Sequence, residues 1–402
     1  MQKILVWLRR DLRLKDNPAL YAAAQEGQVL PLYVFDGRLG AAQHAWVCHT
    51  IAALREEGFP VVVRKGKPSA VIPKMVKEHK IDAVFANRVY DPVGRREEKL
   101  CDETFNGSLL IEPWEVQNKQ GKEFKVFTPF WRTAKGQIEK RELLPAPKLD
   151  VVRAVKGKVA LPKHPMTAHW EFGEQAARRR LKQFVNSGLA KYGRQRDRLD
   201  LDGTSRLSPY LATGQLSPQQ VWELTKRNTT FAAELGWREF SYHLLYHFPK
   251  LETEPFRPEF SRFPWKWRGK GVAAWQQGRT GYPVVDAAMH QLPAAGWMHN
   301  RARMIVASFL TKDLLIHWRV GAAWFWEHLV DADPANNAAS WQWTAGCGAD
   351  AAPFFRVFNP ITQGEKFDPT GDYVEEWCPE EVAPIVDHGE AREAALKLYK
   401  RL

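Results

Sequence analysis

Ile4-Leu5-Val6-Trp7-Leu8-Arg9-Arg10-Asp11-Leu12-Arg13 decides how the first part of this chain folds. Five apolar residues that stop abruptly on charge are too few for a buried helix and suit a buried strand. Similar short runs recur at 29–35, 60–63, 83–86 and 109–111, each bounded by charge, Gly or Pro. Amphipathic stretches such as 46–57 and 69–80 fill the intervals. Strands alternating with helices predict βαβ units and a doubly wound, mostly parallel sheet over residues 1–115. After Leu8, however, come arginines and an aspartate, with no GxGxxG and no GxxxxGK[ST]. A phosphate cradle needs glycines there so that the backbone can approach a pyrophosphate. The layout is therefore Rossmann-like, but a dinucleotide is not expected on this turn.

The rest of the chain has a different texture. Residues 116–170 form a mixed connector with a Lys/Gly-rich stretch at 118–125 and prolines at 145, 147, 162 and 165. Residues 171–402 read as an all-α domain, with a basic amphipathic helix at 174–184 and one apolar on most faces at 301–318. At 402 residues each part can bury its own core. The formal charge of +12 fits a polyanionic partner, and equally a merely soluble cationic protein. Four scattered cysteines, with no CxxC and no Cys/His spacing, predict no metal and ordinary reduced thiols. No apolar run approaches the ~18 residues of a membrane span, which predicts a soluble, cytoplasmic protein and, we expect, a monomer. Of 17 tryptophans, four precede residue 169 and thirteen follow it. The second part has a use for indole rings beyond core.

Four segments there invite chemistry. In Gly203-Thr204-Ser205-Arg206-Leu207-Ser208-Pro209-Tyr210, hydroxyls and a guanidinium precede a helix that Pro209 could open. That makes an anion site, or a plain serine cap in a loop. Glu234 to Phe240 sets Trp237 and Arg238 between carboxylates: a salt-bridged surface helix, or a cleft with a face for a base to stack on. Asn300, Arg303 and Met304 recur at helical spacing and could share one pocket, although Met304 as core and the arginines as surface explain them too. Asp331-Ala-Asp333-Pro-Ala-Asn336-Asn337-Ala-Ala-Ser-Trp341-Gln-Trp343 is poor helix material and poor core. It suits the edge of a cofactor ring.

Together these segments resemble the DNA photolyase/cryptochrome family, and within it the bacterial cyclobutane pyrimidine dimer photolyases. The likeness opens at Trp7-Leu-Arg-Arg-Asp11-Leu-Arg13-Leu-Lys-Asp16-Asn17 and is densest from Gly281 to Phe367, including Phe354-Phe-Arg356-Val-Phe-Asn359-Pro360-Ile-Thr-Gln363. It implies an N-terminal α/β domain, a C-terminal all-α domain that folds around FAD, and UV-damaged DNA containing pyrimidine dimers as partner. Tyr192 and Thr204, Ser205, Arg206, Leu207 and Ser208 would hold the FAD phosphates and ribityl chain. Phe231 stands where a relative has Trp, and Arg238 lies on the same cofactor. Arg303, Asp331 and Asp333 would surround the isoalloxazine and ribose, and Asn337 would face the flavin N5. Arg196, Glu234, Trp237 and Asn300 correspond to lesion- or DNA-contacting positions, as do Arg301, Met304, Trp343 and Gln363. A dimer flipped out of the duplex would meet indole walls, with a protonated Glu234 on the pyrimidine edge. Trp341, Trp318 and Trp265 match a relay carrying electrons from the surface to the flavin, whereas Trp324 and Trp326 read as packing.

At Tyr90-Asp-Pro-Val93-Gly94-Arg95, folate-antenna relatives carry an Asn-Glu pair where this chain has Val93-Gly94. That argues against a folate antenna and leaves a deazaflavin, a second flavin or no second chromophore. A (6-4) photolyase would want a His pair where Asn300 and Met304 stand. A cryptochrome-type light sensor is the alternative of another class; such sensors often carry long C-terminal extensions, and only about 35 residues follow the last motif here. A light-independent DNA-binding protein is a third reading.

Overall fold

The computed structural model describes residues 2–138, 141–352, 354–378, 380 and 382–402. Five parallel strands, β1 (Gln2–Leu8), β2 (Gly27–Phe35), β3 (Val62–Lys65), β4 (Ala83–Asn87) and β5 (Glu103–Phe105), lie in the order β3-β2-β1-β4-β5. Side chains alternate across a strand. Accordingly Ile4, Val6 and Leu8 feed one core with the helices Pro18–Glu26 and Ala41–Glu56, while Leu5 and Trp7 feed another with the helix Pro68–His79. The doubly wound parallel sheet is as expected. The last strand is not where 109–111 predicted it. Those three residues are irregular and buried against the helix Thr229–His247, and the N–H groups of Leu110 and Ile111 point at the Glu239 carboxylate, at 2.8 and 3.4 Å. Three apolar residues mark burial but cannot tell a strand from a buried loop.

The glycine-free turn after β1 has a use of its own. Arg13, fully buried, donates to the carbonyls of Asp16, Gly107 and Gly214. Asn17 and Asn87 close the network around Asp11, and Asp16 accepts from Arg141 at 2.9 Å and from Ser217. Arg10 reaches the carbonyl of Ala332 and lies 3.6 Å from Asp333. A Cβ on Gly214, whose φ is +80°, would sit 2.0 Å from the Arg10 carbonyl oxygen, so the backbones meet there only because the residue is glycine. The turn welds the sheet to the helical part, where a Rossmann turn would hold a ligand.

The connector is bound on both sides. Its helix Phe127–Gln137 packs on Thr229–His247, and further on Val29 and Val63 donate to the carbonyls of Asp150 and Lys156. From Gly173 onward the described residues contain helices and no strand. None of these helices is long and apolar enough to cross a membrane.

Two helical expectations need correction. The stretch 301–318 is not one helix: Asn300–Ser308 passes into a π-helical turn, Phe309–Asp313, and a new helix, Trp318–His328, starts after Leu315 at φ 52°. Apolar periodicity carried across a break that the side chains do not announce. Conversely, 331–343, read as poor helix material, is the start of a helix, Pro334–Ala345. Asp333 accepts from the Asn336 N–H at 2.8 Å and Pro334 stands in the first turn. Cap and proline supply what the residues' weak intrinsic propensities do not.

Candidate functional site

A cavity of about 330 Å³ opens where Thr229–His247, Asn300–Ser308 and Pro334–Ala345 converge on the loop before residue 208. The helical register of the last of these matters most. Asn336, Asn337, Ser340, Trp341 and Thr344 all line the cavity, one stripe at helical spacing. Ser340 and Thr344 were missed because the segment was not read as a helix.

Along one side lie Thr204, Ser205, Arg206 and Ser208. Arg206 holds a left-handed φ of 51° and sets its guanidinium 5.3 Å from the Trp297 ring; Trp297 in turn donates to the Ser208 hydroxyl at 3.2 Å. Trp297 is a cavity residue that the sequence reading missed. Leu207 does not line the cavity; it is 1% exposed and anchors this loop in the core. The helix that follows, Ser208–Thr213, has only six residues, with Pro209 in its first turn as expected.

Across the cavity, Arg303 pairs with Asp331 at 2.8 Å and donates to the Met298 carbonyl. The other Asp331 oxygen is buried without a hydrogen-bond partner. Asp333 caps its helix with one oxygen and accepts from the Tyr242 hydroxyl with the other. Burial and the neighbouring Asp333 push that phenol well above its ordinary pKa, which keeps it a neutral donor. Asn337 donates one amide N–H to the Ala322 carbonyl at 3.0 Å, leaving the amide oxygen and the second N–H available. Arg238 pairs with Glu239, whose carboxyl burial pushes up to about 7, and donates to the Ser108 carbonyl.

At another wall Trp237 lies flat against Phe127, with centroids 3.8 Å apart. Glu234 accepts from the Arg196 guanidinium, which stands over the Tyr192 ring at 5.4 Å. Asn300 and Met304 line the cavity, with the amide 3.9 Å from the thioether sulfur. Besides Leu207, and the relay candidates aside, four more predicted residues do not line it. Phe231 is buried against Phe184 and Tyr192, Arg301 pairs with Asp197 at 2.9 Å, Trp343 donates to the Asp350 carbonyl, and Gln363 belongs to the helix Pro360–Phe367.

Among the three relay tryptophans, Trp341 lines the cavity, and all three share one hydrophobic cluster. Trp341 packs on the Trp318–His328 helix at Gly321, where a Cβ would fall 2.1 Å from the indole. Trp318 is 1% exposed, and its N–H has no partner. Trp265, expected at the surface, is only 8% exposed and donates to the Thr311 carbonyl. The His317 ring stands 5.4 Å from Trp265 and 5.5 Å from Trp318. Its other face stacks at 4.0 Å on Trp267, the exposed indole of the group.

A separate cavity lies beyond the carboxyl ends of β1, β2 and β4, with Trp7, Tyr33, Arg38, His44, Asp91 and Trp326 in its lining. Because β2 and β4 flank β1 on opposite sides, this is the switch point of the sheet, where open α/β folds bind ligands.

Comparison with known proteins agrees with this geometry. Residues 4–148 match the model of the DNA photolyase domain, and residues 231–383 that of the FAD binding domain of DNA photolyase. A deoxyribodipyrimidine photo-lyase of Agrobacterium fabrum is 42% identical, covering 98% of this chain and 97% of its own length. The crystal structure of a bacterial class III photolyase from Agrobacterium tumefaciens superposes with a TM-score of 0.93 at 40% identity, over 100% of this chain and 98% of that one. An archaeal photolyase from Sulfolobus tokodaii, solved with two FAD molecules, gives 0.88 at 28% identity over the full length of both.

Proposed function

The chain belongs to the DNA photolyase family, and we propose that it repairs cyclobutane pyrimidine dimers in DNA by light-driven electron transfer, with its chemistry in the cavity that Asn337 and Trp341 line. It is an FAD-dependent enzyme of the deoxyribodipyrimidine photo-lyase class. The observation that carries the assignment is the stripe on one helix, which brings two amides, an indole and small side chains to the same cavity as four arginines and a row of hydroxyls.

The donor set fits FAD. Arg206 with the hydroxyls of Thr204, Ser205 and Ser208 suits a pyrophosphate and a polyol, and the unpartnered buried oxygen of Asp331 suits a ring or ribose donor. When bound, reduced FAD supplies the excited electron that splits the dimer. The chain's part is placement. Oriented by its bond to the Ala322 carbonyl, Asn337 still has its amide oxygen and a second N–H to offer to the edge of the ring. The Arg303–Asp331 pair and the Asp333 cap hold the opposite side. Trp237 supplies a flat wall for an extruded base pair, and Asn300 and Met304 supply an amide and a soft, polarisable edge beside it. The relay reading, in which Trp341 passes electrons inward from Trp318 and Trp265, is supported by the hydrophobic cluster that the three share.

The second cavity, at the sheet's switch point, we assign to a second chromophore. Its aromatic lining, Trp7, Tyr33, Phe35 and Trp326, suits a flat ring system, and the arginines and carboxylates around it suit polar ring edges such as those of a deazaflavin or a second flavin. We also propose that the protein acts as a monomer in the cytoplasm, its net charge of +12 steering it onto DNA. The test is direct: purified protein should release FAD and bind a dimer-containing oligonucleotide in preference to the same sequence undamaged. A colourless protein, or equal binding to both, contradicts the proposal.

A further inference from the structure

Trp237 is backed by a residue from far away in the chain. The Phe127 ring lies against it with planes only 8° apart. Phe127 opens the helix Phe127–Gln137, which has no capping side chain of its own. Its N–H points instead at the carboxylate of Asp350, at 3.3 Å and 223 residues away. A carboxylate at a helix start satisfies an orphan donor and complements the dipole. The carbonyl of the same Asp350 accepts the Trp343 indole N–H at 3.0 Å. Asp350 does both from a left-handed φ of 54°, which Asp and Asn tolerate better than most residues. Thus one residue holds Trp343 with its backbone and the support of Trp237 with its side chain.

We propose that Phe127 and Asp350 are positioning residues for the dimer pocket, fixing the plane of Trp237 as a rigid indole wall. The proposal rests on the assignment of Trp237 to the lesion. A wall held in its plane before binding adds no ordering cost when the dimer arrives, which favours the flat lesion over ordinary DNA.

The experiment compares affinity for a dimer-containing oligonucleotide and its undamaged twin in the full flavin-loaded protein. Phe127→Leu keeps the bulk and removes the stacking face. It should lose about three- to tenfold in dimer selectivity, the range of a single aromatic pair, while flavin content and the rate of flavin photoreduction stay at the parental value. Asp350→Gly keeps the left-handed turn and its carbonyl but drops the carboxylate, and should lose a similar factor; Asp350→Asn, which retains an acceptor, should recover part of it. Full selectivity in Phe127→Leu overturns the proposal, as does a loss of flavin and thermal stability with selectivity intact. Trp237→Ala, measured alongside, separates the two levels. If it too binds the dimer as the parent does, the lesion assignment falls and the proposal with it; if only Phe127→Leu does, the backing role alone falls.

Discussion

Asn337 and Trp341 stand one helical turn apart and face one cavity, yet their surroundings differ. Asn337 is oriented by a main-chain carbonyl, whereas Trp341 is held only by packing, against Phe325, Trp275 and the bare backbone of Gly321. A ring fixed in an apolar setting can change charge with little reorganisation, as a relay requires. Trp341→Phe should therefore abolish photoreduction of oxidised flavin in the purified protein, and Trp265→Phe should slow it severely, both followed by absorbance under blue light. Parental rates in both would remove the relay. The sequence named most cavity residues because their motifs are long and ordered, but sequence position does not give direction. Leu207 and Phe231 turn into the core, and Arg301 and Trp343 are taken up by Asp197 and Asp350. The partner of Arg301 lies in a distant segment, and that of Trp343, only a few residues on, is a main-chain carbonyl, which no side-chain pattern announces.

Two elements of the helical part begin in the same unusual way. His299 caps Asn300–Ser308 by accepting the Arg301 N–H at 3.1 Å, and His317 caps Trp318–His328 by accepting that of Arg319 at 3.1 Å. Accepting requires a bare nitrogen, so both caps work only as neutral imidazoles. Burial first, with Arg301, Arg303 and Arg206 adding to it and Asp197 opposing, takes His299 down to about 4; burial and Arg319 do the same for His317. A histidine whose folded pKa lies below its unfolded value near 6.5 stabilises the fold above that value. That stability is lost as pH falls from about 6.5 towards 4, because the unfolded chain takes up the proton first. His299→Asn keeps a good capping acceptor without the titration. It should flatten the decline in melting temperature across that window, and an unchanged slope would exclude the cap as its source. The same rule explains the misreading of 331–343. Asp333 followed by Pro334 is a helix start that was legible in the sequence, but the amides and small residues behind it masked the signal.

At the scale of the whole molecule, the sheet and the helical part are one packed object. A single core cluster runs from Ile4 and Trp46 in the α/β part to Tyr210 and Phe231, and Trp46 donates to the Thr213 hydroxyl at 3.0 Å. Alternating apolar runs made the parallel sheet legible, and the missing glycines set the first turn apart in sequence from a Rossmann phosphate cradle. Neither could reveal that this turn would clamp Gly214, Ser217 and Asp333 instead, since those contacts span more than 200 residues. The clamp also ties the sheet, with its switch-point cavity, to the helix that carries Asn337 and Trp341. The central claim, light-driven repair in that cavity, is tested most directly by following pyrimidine dimers in an irradiated oligonucleotide with the flavin fully reduced. Dimers should disappear under blue light and persist in darkness; persistence under light with reduced flavin bound would contradict it.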